Sequence, residues 1–313
     1  MKAFPILLLW AGAALAQYPD RPVKLLLTFS GGGQADLLAR LVSERMKDTL
    51  GQPVVVEARP GAGGNIAMEA AARAAPDGYT LVFGTPAVAI NGTLYRKLSY
   101  DPLKDLAPLS LAALGNYVVY ASGKLPASSV AELIAYAKAR PGAVNYASVG
   151  VGSGTHLAAV LFALAADIQM AHVPYKGIQQ IAPDLVSGEV QLTFNAHGPL
   201  AQFVESGRVK ILGTTGPKRM KQLPDAPALA ETLPGFEAAG WYGFFTAAAT
   251  PRDVLQKLNT AIVKAVSSPD VFARIESMAL VPAPQSLDEA QRFVASEAAK
   301  WSRAVKASGA TVD

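Results

Sequence analysis

The chain has 313 residues, 51% of them apolar, and a net charge of +4 from 28 basic and 24 acidic side chains scattered along its length. That is enough chain for two domains with cores of their own. It shows no basic stripe with interleaved aromatics, so a nucleic-acid partner is excluded, and without cysteine it has no disulfides, thiolate catalysis or cysteine-based metal sites.

Residues 1–16 read as a secretory signal peptide. Lys2 supplies the positive start, residues 4–14 the apolar core, and Ala14-Leu15-Ala16 the small-x-small cleavage pattern, with the cut after Ala16 and Gln17 as the mature N-terminus. The alternative is a buried N-terminal helix. The run is too short to span a bilayer, and no later stretch reaches about 18 apolar residues without charge. The expectation is an exported, unanchored monomer in the periplasm of a Gram-negative bacterium.

Val23-Lys24-Leu25-Leu26-Leu27 predicts a buried strand. Thr28-Phe29-Ser30-Gly31-Gly32-Gly33-Gln34-Ala35-Asp36 follows, and the apolar spacing of Leu37, Leu38, Leu41, Val42 and Met46 predicts a helix over 34–49. Glycines at such a strand-to-helix turn allow positive φ and close approach of a ligand. The helix behind them offers free N–H groups and the positive end of its dipole to an anion. A second strand (53–57), a glycine-rich turn (59–65), a helix (66–74) and a third strand (79–83) repeat the pattern of a parallel sheet with helices on its faces. Ligands on such sheets gather at the carboxyl ends of the strands, which selects loops 28–36, 57–65 and 84–91. Residues 92–116 show no regular pattern.

A strand over 117–121 leaves the first domain. Ser128-Ser129 caps a helix over 130–139, with Glu132 in its first turn. A strand at 144–148 then runs into Gly150-Val151-Gly152-Ser153-Gly154-Thr155 and a helix over 156–165, repeating the opening arrangement. Strands at 170–173, 190–195 and 209–214 alternate with helices at 178–187 and 199–206. After Lys218 the chain returns to the first lobe, with a strand at 241–247 and helices near 251–267, 269–278 and 287–306. Pro251 suits a first helical turn. The division expected is 17–116 with 218–313 as one lobe and 117–217 as the other.

Motifs for hard chemistry are missing. There is no His-Glu-x-x-His, no Walker A lysine and no Gly-x-Ser-x-Gly, and Gly150-x-Gly152 lacks the third glycine of a dinucleotide fingerprint. No cofactor or metal is expected. Of the three histidines, His156 starts a helix at a strand end, where it could touch a ligand, act as a base or fill the lobe interface. Asp36 could hold a donor group or bound water, or could answer only to its helix dipole. Tyr175 could close over a solute or pack a hinge. Thr85, Ser148, Ser153, Thr155 and Asn195 are small polar residues at strand ends, suited to neutral hydrogen bonding of a carboxylate. With Phe29, Ser30, Gly33, Gln34, Ala87 and Gly150 from the same loops, these form the candidate ligand-binding set.

Several strings carry a family resemblance. Tyr18-Pro19-x-Arg21-Pro22, Phe29 with Gly32-Gly33-x-x-Asp36-x-x-Ala39-Arg40, Gly51-Gln52-Pro53-Val54-Val55-Val56-Glu57, Arg59-Pro60-Gly61-Ala62-Gly63-Gly64, Pro76-Asp77-Gly78-Tyr79-Thr80-Leu81, His172-Val173-Pro174-Tyr175-Lys176-Gly177 and Trp241-Tyr242-Gly243 resemble the Bug/TctC substrate-binding proteins of tripartite tricarboxylate transporters. The resemblance covers essentially the whole mature chain. It implies an α/β, two-lobed Venus-flytrap of the type II periplasmic binding class, with a mixed, mainly parallel sheet in each lobe. It implies a carboxylate held between loops 29–36 and 150–156 by main-chain amides, small hydroxyls and bridging waters. The family usually has proline where this chain has Thr28 and Gly31, a glycine where it has Ala67, and often Asp where it has Asn195.

The reading is of a receptor, not an enzyme. It captures a small organic carboxylate (a di- or tricarboxylate, an aromatic acid or an amino acid), closes by a hinge near 117 and 217, and delivers to a membrane permease of the tripartite tricarboxylate type. One alternative is an orphan receptor signalling to a sensor protein. The other, a secreted hydrolase or isomerase using His156 with Ser153 or Asp36, suffers from the poverty of acid–base groups.

Overall fold

The computed structural model describes residues 18–29 and 31–313. The signal-peptide reading of 1–16, the mature start at Gln17 and the candidate Ser30 lie outside the described residues.

Strands β1 (Val23–Leu27), β2 (Val54–Ala58) and β3 (Thr80–Gly84) alternate with helices α1 (Gln34–Leu50), α2 (Asn65–Ala72) and α3 (Ala87–Leu94), and β4 (Leu106–Gly115) ends this first pass. The chain then crosses to a second sheet. That sheet holds β5 (Val118–Ser122), β6 (Asn145–Ser148), β7 (Ala171–Pro174), β8 (Leu192–Asn195) and β9 (Val209–Thr214), interleaved with α4 (Val130–Ala139), α5 (Gly154–Ala166), α6 (Ile178–Ser187) and α7 (Ala201–Glu205). It returns as β10 (Gly240–Ala247) and β11 (Val281–Pro282), with α8 (Arg252–Ser267), α9 (Pro269–Ser277) and α10 (Leu287–Ser308).

The strand orders are β11-β4-β10-β3-β1-β2 and β7-β6-β8-β5-β9. Both sheets are mixed and share one plan. Three parallel strands have the first-entered one in the middle (β1, β6), and a strand that has crossed from the other sheet pairs antiparallel beside them (β10 on β3, β5 on β8). The result is a two-lobed α/β fold.

Burial follows the pleat. Val23, Leu25 and Leu27 of β1 pack with Leu38, Val42 and Met46 of α1 and Leu258 and Ile262 of α8. Leu26 points to the other face, among Met68, Ile90 and Trp301. Successive strand side chains alternate between faces, and because helices cover both, β1 reads after its exposed Lys24 as the unbroken apolar run Leu25-Leu26-Leu27.

The stretch 92–116, read from sequence as irregular, contains the end of α3 and the ten-residue strand β4. Two physical reasons hid β4. It is buried on both faces and so lacks alternation, and its pairing with β10 is interrupted by two register shifts in a run containing Pro108. The return to the first sheet also comes later than expected, at Gly240. Before that, Ala228 bridges to Thr214, Thr214 donates its N–H to Pro227 O at 2.9 Å, and Phe236 packs edge-on against Phe162 of α5. Much of 219–238 therefore lies on the second lobe, bound there by apolar side chains spaced too irregularly to announce a fold element.

The two crossings are tied together. Tyr117 donates its N–H to Thr215 Oγ1 and Thr215 donates its N–H to Tyr117 O, both at 2.9 Å.

Candidate functional site

The carboxyl ends of β1 and β3 in one lobe and of β6 and β8 in the other open onto a single cavity of ≈ 390 Å³. Its walls come from Gln34, Thr85 and Ala87 on the first lobe, from the 149–154 turn and His197 on the second, and from Asn116, Tyr117, Trp241 and Tyr242 at the crossings. Ile90, Leu94, Met278, Leu280 and Val312 supply apolar surface. Among the described residues, no Asp, Glu, Lys or Arg lines it.

The second-lobe wall is a turn fixed by its own side chains. Ser153 is the N-cap of α5, accepting the His156 N–H at 3.2 Å while its hydroxyl donates to Gly150 O at 2.7 Å. Ser148 Oγ accepts the Gly150 N–H at 3.1 Å, and Thr155 Oγ1 accepts the Val149 N–H at 3.1 Å. His156 Nδ1 accepts the Gly152 N–H at 3.0 Å. Two glycines here are required by space. A Cβ on Gly152 (φ +75°) would lie 2.3 Å from Leu94 Cδ2 of the opposite lobe, and one on Gly154 would lie 2.2 Å from the Tyr117 hydroxyl. The Tyr117 hydroxyl thus sits at the N-terminus of α5, where dipole and free N–H groups favour an anion.

Three phenols face the cavity. Tyr95, Tyr117 and Tyr242 line it and make no side-chain hydrogen bond among the described residues. Burial raises the pKa of each; for Tyr117, neighbouring Tyr242 and Glu297 add to the effect. All three stay protonated at neutral pH and can donate to an oxygen ligand. Behind them, Glu297 is buried and accepts from the indole N–H of Trp241 at 2.9 Å and of Trp301 at 2.7 Å, with Lys300 on its other oxygen. That network fixes Trp241, which lines the cavity.

Of the residues expected from sequence, Gln34, Thr85, Ala87, Gly150 and Ser153 line the cavity. Phe29, Gly33, Asp36, Ser148, Thr155, His156, Tyr175 and Asn195 are not among its lining residues. The Phe29 ring packs edge-on against Phe83, and Gly33 is the N-cap of α1. Asp36 accepts the Gly32 N–H at 2.9 Å and the Arg40 Nε–H at 2.8 Å. Tyr175 donates to Asp184 at 2.6 Å, and Asn195 donates to Thr193 at 2.9 Å. Ser148 and Thr155 bind the turn's main chain, and the His156 ring is buried at 3% exposure. Their polar atoms are occupied in building the loops that face the cleft. Sequence reasoning missed Tyr95, Asn116, Tyr117, His197, Trp241 and Tyr242. His197 was within reach, because it follows a strand end. Tyr95 ends α3, while Asn116, Tyr117, Trp241 and Tyr242 come from the crossings, and two segments that join two lobes must pass beside the cleft between them.

A family model described as "Tripartite tricarboxylate transporter family receptor" matches residues 38–310. The chain belongs to this receptor family. Protein BugT of Bordetella pertussis (strain Tohama I) is 33% identical over 296 residues, covering 94% of this chain and 91% of BugT. Among solved structures, R. palustris Rpa4515 with adipate is 34% identical, with a TM-score of 0.78, and covers 94% of this chain and all (100%) of that one. MatC from Rhodopseudomonas palustris with bound malate is 30% identical, with a TM-score of 0.72, over 92% of this chain and 100% of that one. The family is one of solute-binding receptors with the periplasmic binding protein fold. Among the described residues no helix is long and apolar enough to cross a membrane.

Proposed function

We propose that this chain is a periplasmic receptor that captures a small organic carboxylate between its lobes and passes it to a tripartite tricarboxylate-type permease. The observation that carries the reading is the cavity itself. It lies between the lobes, is closed on one side by Gly152 against Leu94, and, among the described residues, is lined by helix N-termini and by tyrosine hydroxyls with no side-chain partner, and by no charged side chain. Such a site binds a carboxylate through neutral donors and oriented dipoles. The adipate and malate bound by the two R. palustris relatives support the same ligand class. Opening and closing are assigned to the paired crossings at Tyr117 and Thr215, the usual place for a hinge in two-lobed receptors. Residues 1–16 would direct export and be cut after Ala16.

An enzymatic role finds no support in the geometry. His197 lines the cavity with no carboxylate or hydroxyl bonded to it among the described residues, and the Ser153 hydroxyl is held by Gly150 O and Thr155. A triad needs a base within reach of its nucleophile.

The test is a thermal-shift screen of the protein after unfolding and refolding to strip carried ligand, against aliphatic di- and tricarboxylates including adipate and malate, aromatic acids and amino acids. A ligand at a hundred times its dissociation constant adds about 2.7 kcal/mol of stability. A carboxylate that raises the melting temperature and is recovered unchanged by mass spectrometry supports the receptor reading. A hit that is chemically converted during incubation overturns it.

A further inference from the structure

His156 belongs to a cluster that ligand contact does not explain. Its ring is stacked on His172 of β7, with centroids 3.9 Å apart and 13° between planes, and the Tyr146 ring of β6 lies against both, 5.0 Å from His172 and 6.1 Å from His156. His172 Nε2 is 2.7 Å from Ser148 Oγ, and Ser148 Oγ in turn accepts the Gly150 N–H. Two main-chain N–H groups of the cleft turn, those of Gly150 and Gly152, thus reach the histidine pair, one through Ser148 and one directly.

The opposite lobe has a counterpart. Gly32 donates its N–H to Asp36 Oδ2 at 2.9 Å, from the first turn of α1 and at the same four-residue spacing as Gly152 and His156. Each lobe therefore sets its cleft turn by an acceptor on the first turn of the following helix. In the second lobe that acceptor is a ring nitrogen, and it accepts only while it carries no proton.

We propose that the neutral imidazole of His156 is a positioning group that holds the 150–154 turn in its ligand-accepting shape, so that protonating the ring releases the turn. Accepting at Nδ1 requires the tautomer with its proton on Nε2. A second proton can go only to Nδ1, where it points at the Gly152 N–H and replaces a hydrogen bond by two opposed donors. The titratable groups facing His156 are His172 on β7 and Tyr146 on β6; the end of α10 and the segment after it present Ala307, Ser308 and Ala310, none of them ionisable. Burial first, and His172 second, push the His156 pKa down to about 4, which keeps the acceptor intact over ordinary pH. Freeing Gly152 would undo its seat against Leu94, the contact that closes the cleft between lobes. This deepens the carboxylate-receptor reading, yet its test needs no ligand.

The experiment follows the Gly152 amide by NMR in the full chain, deuterated and 15N-labelled at glycine, from pH 7.5 to 3.5, with the His156 ring proton observed in the same samples. The expected result is a Gly152 resonance that moves together with the His156 ring, with a midpoint below pH 5. In His156→Asn, whose Oδ1 falls near the place of Nδ1 but does not titrate, Gly152 should stay protected from exchange at pH 7 and lose that shared titration. In His156→Leu its protection should fall at least tenfold at pH 7, while the αL cap Gly188 of α6 is unchanged. Unaltered Gly152 protection in His156→Leu, or an unaltered Gly152 titration in His156→Asn, would overturn the proposal. Failure of every carboxylate to bind would overturn only the receptor reading.

Discussion

The two glycine turns that face each other across the cleft are built alike and tensioned differently. Each follows the middle one of its sheet's three parallel strands, each contains a glycine at positive φ (Gly32 at 89°, Gly152 at 75°), and each ties that glycine's N–H to a side chain four residues on. In the first lobe the acceptor is a carboxylate paired with the half-exposed Arg40, and a Cβ on Gly32 would meet nothing within 4 Å. In the second the acceptor is a buried neutral imidazole, and Gly152 is pressed against Leu94 of the other lobe. One turn is open and charge-stabilised. The other is the tight jaw of the cleft.

The largest effect that follows comes from adding side chains to the two glycines. Gly152→Val should abolish closure, because its Cβ would start 2.3 Å from Leu94 Cδ2 at a φ that valine resists. Calorimetric titration with whichever acid the screen finds should show affinity lost by at least a hundredfold, about 2.7 kcal/mol. Gly32→Ala meets no atom and should cost only the left-handed strain, roughly 1–2 kcal/mol of stability, with affinity near that of the parent. Equal losses in both would break the comparison.

The next effect is on pH. The folded-state pKa of His156 is lowered from 6.5 to about 4 by burial and by His172. Well above pH 6.5 the ring is neutral in both folded and unfolded chains and contributes no pH dependence. As the pH falls from 6.5 toward 4, the unfolded chain takes up a proton that the folded one refuses, so stability is lost across that window and the loss levels off below it. The total is roughly 3 kcal/mol, and the lowered pKa of His172 acts in the same sense. Urea titrations at pH 6.5 and 4.5 should show this slope in the parent and a shallower one in His156→Asn.

How far the sequence reached divides along the same line. The two glycine turns, the helices behind them and the alternation of strand and helix were legible, because positive-φ glycines, caps and apolar periods are local signals. Ser129, for example, caps α4 by accepting the Glu132 N–H, within the Ser128-Ser129 pair expected to cap it. Direction was not legible. Asp36, His156 and Tyr175 stand in the right loops, but their polar atoms point inward, and only the packing of neighbours such as His172 and Asp184 decides that. Nor could Tyr95, Tyr117 and Tyr242 be gathered, since Tyr95 ends α3 while Tyr117 and Tyr242 come beside it only because the chain crosses twice between sheets. Their removal is the third test. Tyr117→Phe deletes a hydroxyl at the α5 N-terminus and should weaken carboxylate binding about tenfold, or about 1.4 kcal/mol, with little change in melting temperature, since that hydroxyl has no side-chain hydrogen bond to lose among the described residues.

The smallest effect concerns the helix starts themselves. Ser153 caps α5, accepting the His156 N–H at 3.2 Å, whereas α1 begins at Gly33 with no side-chain cap. Ser153→Ala should cost about 1 kcal/mol of stability. Gly33 has extended backbone (φ −89°, ψ 174°), and a Cβ there meets nothing within 4 Å. Gly33→Ser can therefore install the missing cap without strain. It also removes glycine's freedom from the unfolded chain, so it should stabilise by about 0.5–1 kcal/mol. If the first turn is the more pliant of the two because it lacks this cap, Gly33→Ser should also slow exchange of the Gly32 and Gln34 amides. A stabilised protein with unchanged exchange there would mean that Asp36 alone already sets that turn, and that the two jaws differ in their acceptors and not in their stiffness.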